Sequence, residues 1–488
     1  MSVNPDPAPA VPVAGALAIE LNALNPIPED ERHGRPADLF WPWFGANVSV
    51  LGIAYGSWLL AFGVSFWQAV VTGVVGIVVS FLLCGFISLA GRRGSAPTMV
   101  LSRAALGVEG SRIGAVLSWI LTVGWETVLV ATAVLSANEV FGLLGWGSGT
   151  GVEIGALIVV VLLVIAAGVY GFTLVMRLQV VITVVTGVLT VVYFAVVADK
   201  IDWSSVSAIP AGGAPEFVGG LVFMMTGFGL GWVNAAADYS RYLPRAASSR
   251  GIVAWTTIGG ALAPVVLVIF GALLAGSSTT LNDAVGAYSV GGLATIAPHW
   301  FLVPFLIVAL LGLIGGAALD IYSSGLALLA AGLRIPRYAA AAIDGVIMTI
   351  AAAYIVFGAD SFFGPFQGFL ITLGVPIAAW CGIFLGDLVV RRRDYDQQAL
   401  YDVGGRYGRV RGTAVLALAV ATVVGWGMVT NTYAGWLDWQ GYLLEVLGLG
   451  GRSGQWRGAN LGVLAALLIG FLGGLAGASV VRRQERPT

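Results

Sequence analysis

Apolar residues in this chain run on in long stretches separated by short polar or glycine-rich ones, without the sustained alternation that marks a half-buried strand. Such runs lie near residues 40–62, 67–90, 113–141, 152–170, 176–198, 217–243, 251–275, 301–331, 339–357, 362–387, 413–432 and 459–481. A helix needs roughly 20 apolar residues to cross the hydrocarbon of a bilayer. The pattern therefore predicts an all-α integral membrane protein with about twelve transmembrane helices. The third, sixth and eighth runs exceed a minimal span and are expected to tilt or break. Glycine interrupts the first run at Phe44-Gly45-Ala46-Asn47 and the sixth at Thr226-Gly227-Phe228-Gly229-Leu230-Gly231. Each glycine weakens a helix by about 1 kcal/mol, and three in five residues is more than close helix packing demands. Interruptions at matching places in two halves point to an inverted-repeat transporter. Spans 1–5 and 6–10 are the expected repeats. Residues 1–37 then form a cytoplasmic N-terminal tail, 38–390 a ten-helix transport core, and 391–488 a linker with two additional transmembrane helices.

Composition agrees with this reading. Of 488 residues, 58% are hydrophobic and 10% charged, against roughly 25% charged in a soluble domain. A net charge of -1 gives no reason to expect a nucleic-acid partner. Both cysteines, Cys84 and Cys381, lie inside apolar runs, and the two histidines, His33 and His299, are far apart in sequence, so neither a disulfide framework nor a metal site is expected. With the N-terminus placed inside, all of the 24 Lys and Arg except Lys200, Arg452 and Arg457 fall on the inner side. That asymmetry sets the orientation and places the protein in the cell (inner) membrane with both termini cytoplasmic. The segment Met1–Ala16 lacks a basic start and is expected to be a disordered tail rather than a signal peptide.

Several motifs resemble the nucleobase:cation symporter-1 family, within it the purine–cytosine permease branch. They are Ile19-Glu20, the leader Asn25-Pro26-Ile27-Pro28-Glu29-Asp30-Glu31-Arg32-His33-Gly34, Leu39-Phe40-Trp41-Pro42-Trp43 with Ala46-Asn47, Gly91-Arg92-Arg93-Gly94 with Pro97-Thr98-Met99, Val123-Gly124-Trp125, Gly231-Trp232 with Ala236-Ala237-Asp238-Tyr239-Ser240-Arg241-Tyr242-Leu243-Pro244, and Tyr322-Ser323-Ser324-Gly325-Leu326. The resemblance implies a LeuT-type five-plus-five inverted repeat with two C-terminal helices. It also implies alternating access, and import of a purine, cytosine or related heterocycle by cation symport.

A nucleobase is flat, aromatic and edged with donors and acceptors. A site for it needs ring faces above and below, at roughly 1–3 kcal/mol per stacked base, and polar groups at the edge. Trp125 in the third span and Phe228 in the sixth match the positions that the family uses for such a sandwich. Candidate edge groups are Glu126, Asp320 and Asn47, with Ser49 a weaker one, and the freed backbone at Gly227 and Gly229. A carboxylate at mid-membrane costs roughly 2.5–3.5 kcal/mol, so Glu126 and Asp320 are protonated, paired or facing water, and each is also an ion-coupling candidate. Asp238 and Arg241, with Arg245, look like an interface network or gate. Asp344, Asp387 and His299 are expected to be structural.

The chain departs from the branch in two places. Leu129 stands where an Asn commonly follows the third-span Trp, and Gly315-Gly316-Ala317-Ala318-Leu319-Asp320 replaces an Asn-rich stretch. Two edge-reading amides are thereby missing. From Val303 to Leu319 there is no Ser or Thr to supply hydroxyls for a sodium ion, which favours H+ over Na+ as the coupling ion. No cofactor is expected. Transport of an amino acid, amine or vitamin by the same fold is the alternative. An enzyme is disfavoured because no histidine or nucleophile motif lies at mid-membrane, and a channel because no selectivity-filter sequence stands out.

Overall fold

The computed structural model describes residues 20, 22–288, 290–359, 363–431 and 435–485. Met1–Ala16 of the expected tail, Asp360 of the outer loops and Arg486 of the inner charges lie outside the described residues. Among those described, nine helices are long and apolar enough to cross a membrane. In chain order they are the second span Phe66–Gly94, third Ser111–Leu143, fourth Thr150–Tyr170, fifth Phe172–Val197, a sixth from Ala214 to Ser240, seventh Ser249–Ser277, eighth Leu302–Ala331, ninth Arg337–Gly358 and tenth Phe363–Val390. Three further spans are short or interrupted. The first is split into Phe40–Asn47 and Leu51–Leu60, the eleventh is Gly412–Trp426, and the twelfth bends by 49° between Gly462–Ala476 and Ala478–Gln484.

The first and sixth spans both break in mid-course. Val48 leaves helical geometry at φ -82, ψ 63. Phe228 does so at φ -122, ψ -107, between Ala214–Gly227 and a run of short turns that begins with Gly229–Trp232. The glycines here serve close packing as well as the break. A Cβ on Gly227 would stand 2.5 Å from the Tyr55 ring, and one on Gly229 would stand 2.2 Å from the Ser80 carbonyl carbon. The second span answers the freed backbone, since Ser80 Oγ accepts from Gly229 N at 3.1 Å and Cys84 Sγ donates to Gly229 O at 3.0 Å. The third and eighth spans, expected to tilt or break, are continuous at 33 and 30 residues. At 1.5 Å per residue they reach about 50 and 45 Å, so they tilt or project beyond a hydrocarbon core of about 30 Å.

The third span packs most extensively on the eighth, and the second on the seventh, the pairs that a five-plus-five repeat relates to each other. The eleventh and twelfth spans lie against the tenth. Asp387, near the C-terminal end of the tenth span, is clasped at 2.8 Å by both Arg391 and Arg411. Beneath the bundle, the segment from Glu20 to Ala37 is docked. Ile27 is buried and its N–H donates to Ser95 O, and Arg32 donates to Leu243 O and Arg92 O.

Candidate solute site between the broken helices

A small cavity of ≈ 50 Å³ lies where the two interrupted spans meet. The first span lines it with Ala46, Asn47, Ser49, Leu51, Gly52 and Tyr55; the third with Trp125 and Leu129; the sixth with Gly227, Phe228 and Trp232; the eighth with Asp320. Trp125, Phe228, Asn47, Gly227 and Asp320 are thus brought together, and Ser49 joins them. Glu126 and Gly229, expected to contact solute, do not line this cavity. Glu126 follows Trp125 by one residue, so its side chain turns some 100° around the helix towards Ser324 and Asp344. Gly229 faces the second span instead.

The polar groups at the cavity are sparse and largely uncommitted. Both carboxyl oxygens of Asp320 are buried without a hydrogen-bond partner, as is Trp125 Nε1. Asn47 Nδ2 donates back to Trp43 O, one turn earlier in the same helix, at 2.8 Å. At ≈ 50 Å³ the cavity is far smaller than the roughly 300–1,000 Å³ of a usual ligand pocket. Its rings must therefore part to admit a solute the size of a heterocycle.

One wall of it is aromatic and thin. The Tyr55 ring lies 4.7 Å from Phe228 and 5.2 Å from Phe223, centre to centre, and Phe366 of the tenth span sits 5.4 Å from Trp125 and 6.2 Å from Tyr55. Beyond these rings opens a vestibule of ≈ 540 Å³ lined by Phe62, Glu216, Gln367, Arg457 and Asn460 among others.

Below the cavity the molecule is sealed by polar bonds. Asp238 and Arg241, expected to form an interface network or gate, make their hydrogen bonds to different partners. Asp238 accepts from Thr98 N at 2.8 Å and Thr98 Oγ1 at 2.7 Å. Arg241, fully buried, donates to Ala23 O, Tyr322 Oη and Glu20. Glu20 is the hub that sequence reading left without a role. Its Oε1 accepts from Tyr242 Oη at 2.6 Å, and its Oε2 accepts from Phe172 N at 2.8 Å and lies 3.7 Å from Arg337 Nε. One carboxylate from the docked tail thereby joins the fifth, sixth and ninth spans. Nothing local marks it, because its partners are more than 150 residues away.

A second omission is Gln179, the one amide in the fifth run, found by the same cost argument that singles out buried acids. Fully buried, it inserts between the first and eighth spans. Its Nε2 donates to Gly315 O at 2.7 Å, while Oε1 has no partner and lies 2.2 Å from where a Cβ on Gly45 would be.

Twelve spans, two of them broken around a narrow cavity with a thin aromatic wall on one side and a hydrogen-bonded layer on the other, define an alternating-access carrier. The chain belongs to a known family of such carriers: residues 26–442 match the family described as permease for cytosine/purines, uracil, thiamine, allantoin. It is a permease and not an enzyme. It is 25% identical over 421 residues to YxlA of Bacillus subtilis (strain 168), whose name assigns it to the purine-cytosine permeases, with 84% of this chain and 88% of that protein covered. It is 24% identical to the purine-cytosine permease FCY21 of Saccharomyces cerevisiae, covering 94% and 86%. Among solved structures it is similar to Mhp1, a nucleobase-cation-symport-1 family transporter in a closed conformation with bromovinylhydantoin bound, at a TM-score of 0.71 and 19% identity over 94% of this chain and 95% of that one. The expected LeuT-type architecture and family are thus those of this chain.

Proposed function

We propose that this permease imports a nucleobase-like heterocycle, a purine, cytosine or a close relative, by proton symport across the cell membrane, with both termini in the cytoplasm. The observation that carries the reading is the placement of Trp125 and Phe228 on one cavity between two helix breaks. A flat ring slid between them meets a π surface on each side. Asp320 and Asn47 Oδ1 are left to read its edge, with the freed backbone at Gly227 standing in for the amides that Leu129 and the Gly315–Ala318 stretch do not supply. The names of the relatives and the description of the family agree with a solute of this class. Solute enters from the vestibule past Tyr55 and Phe366, the rings close over it, and parting of the Glu20 and Asp238 clusters releases it inward.

Support for protons comes from the first–eighth junction. There the Gln179 amide already bonds Gly315 O, and no hydroxyl lies between Val303 and Leu319 to complete a sodium shell. Meanwhile Asp320 and Glu126 offer buried carboxyl oxygens without donors. Tracer uptake in cells tests the whole reading. Cytosine or a purine should be taken up and blocked by unlabelled heterocycles, with uptake kept in choline medium and abolished by a protonophore. Uptake blocked by amino acids instead, or lost on removing sodium, would overturn it.

A further inference from the structure

Three buried acids form a ladder from the solute cavity towards the inner face. Asp320 of the eighth span lines the cavity. Ser324 follows it by one helical turn and lies beside both Glu126 of the third span and Asp344 of the ninth. Asp344 Oδ1 accepts from Trp119 Nε1 at 2.7 Å, and Trp119 sits two turns inward of Glu126 on the third span. Asp344 itself is seven residues from the inner start of its helix at Arg337, about 10 Å at 1.5 Å per residue. The rungs thus descend from Asp320 through Glu126 and Ser324 to Asp344.

None of the three acids has the company of an ionised one. Both oxygens of Glu126, both of Asp320 and Oδ2 of Asp344 are buried without a hydrogen-bond partner. The titratable groups facing them from the packed helices are one another, on the third, eighth and ninth spans, and Tyr239 of the sixth, whose hydroxyl is engaged with Leu319 O and Ser323 Oγ. No Arg, Lys or His faces them among the described residues. Arg241 and Arg337, the buried cations of this half, are committed to Glu20, Tyr322 and main-chain carbonyls. Asp238 is held by Thr98. Acids without donors or counter-ions at this depth hold protons, and a neutral Asp344 can keep its Trp119 bond on the carbonyl oxygen while Oδ2 carries the hydrogen.

We propose that Asp344 is the inner terminus of the coupling path, passing to the cytoplasm the proton that Asp320 takes up beside the solute. The step rests on the proton-symport reading above. It is a relay of O–H bonds with no net chemistry. Asp344 first loses its proton to water once the inner side opens. Ser324 then donates its hydrogen to the Asp344 carboxylate as it accepts one from Glu126, Glu126 is refilled from Asp320, and Asp320 takes a proton from the outer water, so that each acid ends neutral again. Ser324 is available for this, since among the described residues its hydroxyl makes one hydrogen bond, a long one of 3.3 Å to Ile321 O.

Purified protein in liposomes separates the roles. Solute exchange down no gradient needs no net proton release, whereas accumulation on an imposed pH gradient does. Asp344→Asn should keep exchange within about twofold while accumulation falls more than tenfold and a trapped pH dye no longer reports solute-driven proton entry. Asp344→Glu should restore part of both signals. Ser324→Ala should show the same split and carries the test where Asp344→Asn fails to assemble. Wild-type accumulation on a pH gradient with both Asp344→Asn and Ser324→Ala unimpaired would overturn the relay alone. Wild-type protein that accumulates solute only on a sodium gradient would overturn the proton reading and the relay with it.

Discussion

The polar cluster beneath the cavity hangs on Glu20, the proposed inner seal, and replacing it with Gln isolates the contribution of its charge. The side chain is 10% exposed, its partners Arg241 and Arg337 are 0% and 1% exposed, and the ion contacts are 3.4 and 3.7 Å. Truncating one side of a buried pair commonly costs 3–5 kcal/mol. That figure is reduced here because Arg241 keeps Ala23 O and Tyr322 Oη at 2.9 Å, and Arg337 keeps Gly168 O and Val169 O at 2.8 Å. The glutamine's one carbonyl oxygen can accept from Phe172 N while its NH2 donates to the Tyr242 hydroxyl, which must turn to accept; both bonds lose charge assistance, which is worth roughly a factor of two in a hydrogen bond. About 2 kcal/mol remains. Because these bonds span elements that separate when the inner side opens, the loss falls on the closed state and raises the open population about thirtyfold, at 1.4 kcal/mol per factor of ten. Ser323, beneath the cavity and bonded to Tyr239, supplies the readout. In a Cys84→Ser, Cys381→Ala background, a Ser323→Cys probe should react with a membrane-permeant maleimide roughly ten to thirty times faster when Glu20→Gln is added. A rate unchanged within twofold would show that Glu20 merely tethers the tail.

Further consequences follow from single contacts. Phe366→Ala removes the ring that bridges Trp125 and Tyr55; at roughly 0.5–1.5 kcal/mol per aromatic pair, solute exchange on the outer side should speed up several-fold, measured by tracer counterflow, without loss of protein from the membrane. Gly229→Ala puts a methyl group 2.2 Å from the Ser80 backbone; overpacking of about 1–3 kcal/mol should lower the detergent melting temperature and abolish uptake. Asp387→Asn leaves Arg391 and Arg411 without their shared carboxylate; a loss of about 3–5 kcal/mol should appear as reduced thermal stability, with solute affinity in the surviving protein unchanged.

The twelve spans were legible because hydrophobic length is a one-dimensional quantity that sequence displays directly. The break at Phe228 was legible from its glycines. The cavity's rings were reached only by matching motifs to a family, since nothing in the spacing distinguishes Trp125 from the other buried tryptophans. What stayed hidden depends on which way a side chain turns about its helix. Glu126 sits one residue from Trp125 yet points away from the cavity, a rotation that hydropathy does not register in a span buried on most sides. Gln179 and Tyr55 are polar atoms inside apolar runs, visible as anomalies but without a partner to give them meaning. Glu20 and Asp344 become functional candidates only through bonds to residues far along the chain, which no local pattern records.

In the proposed function a flat solute is gripped by two rings at the crossing of two interrupted helices. Calorimetric binding of cytosine, a purine and a hydantoin to purified protein tests it most directly, comparing the wild type with Trp125→Ala and Phe228→Ala. At roughly 1–3 kcal/mol per stacked ring, each substitution should weaken binding of at least one heterocycle about ten- to a hundredfold while the protein's melting temperature holds. Affinities equal to wild type in both variants would contradict the account.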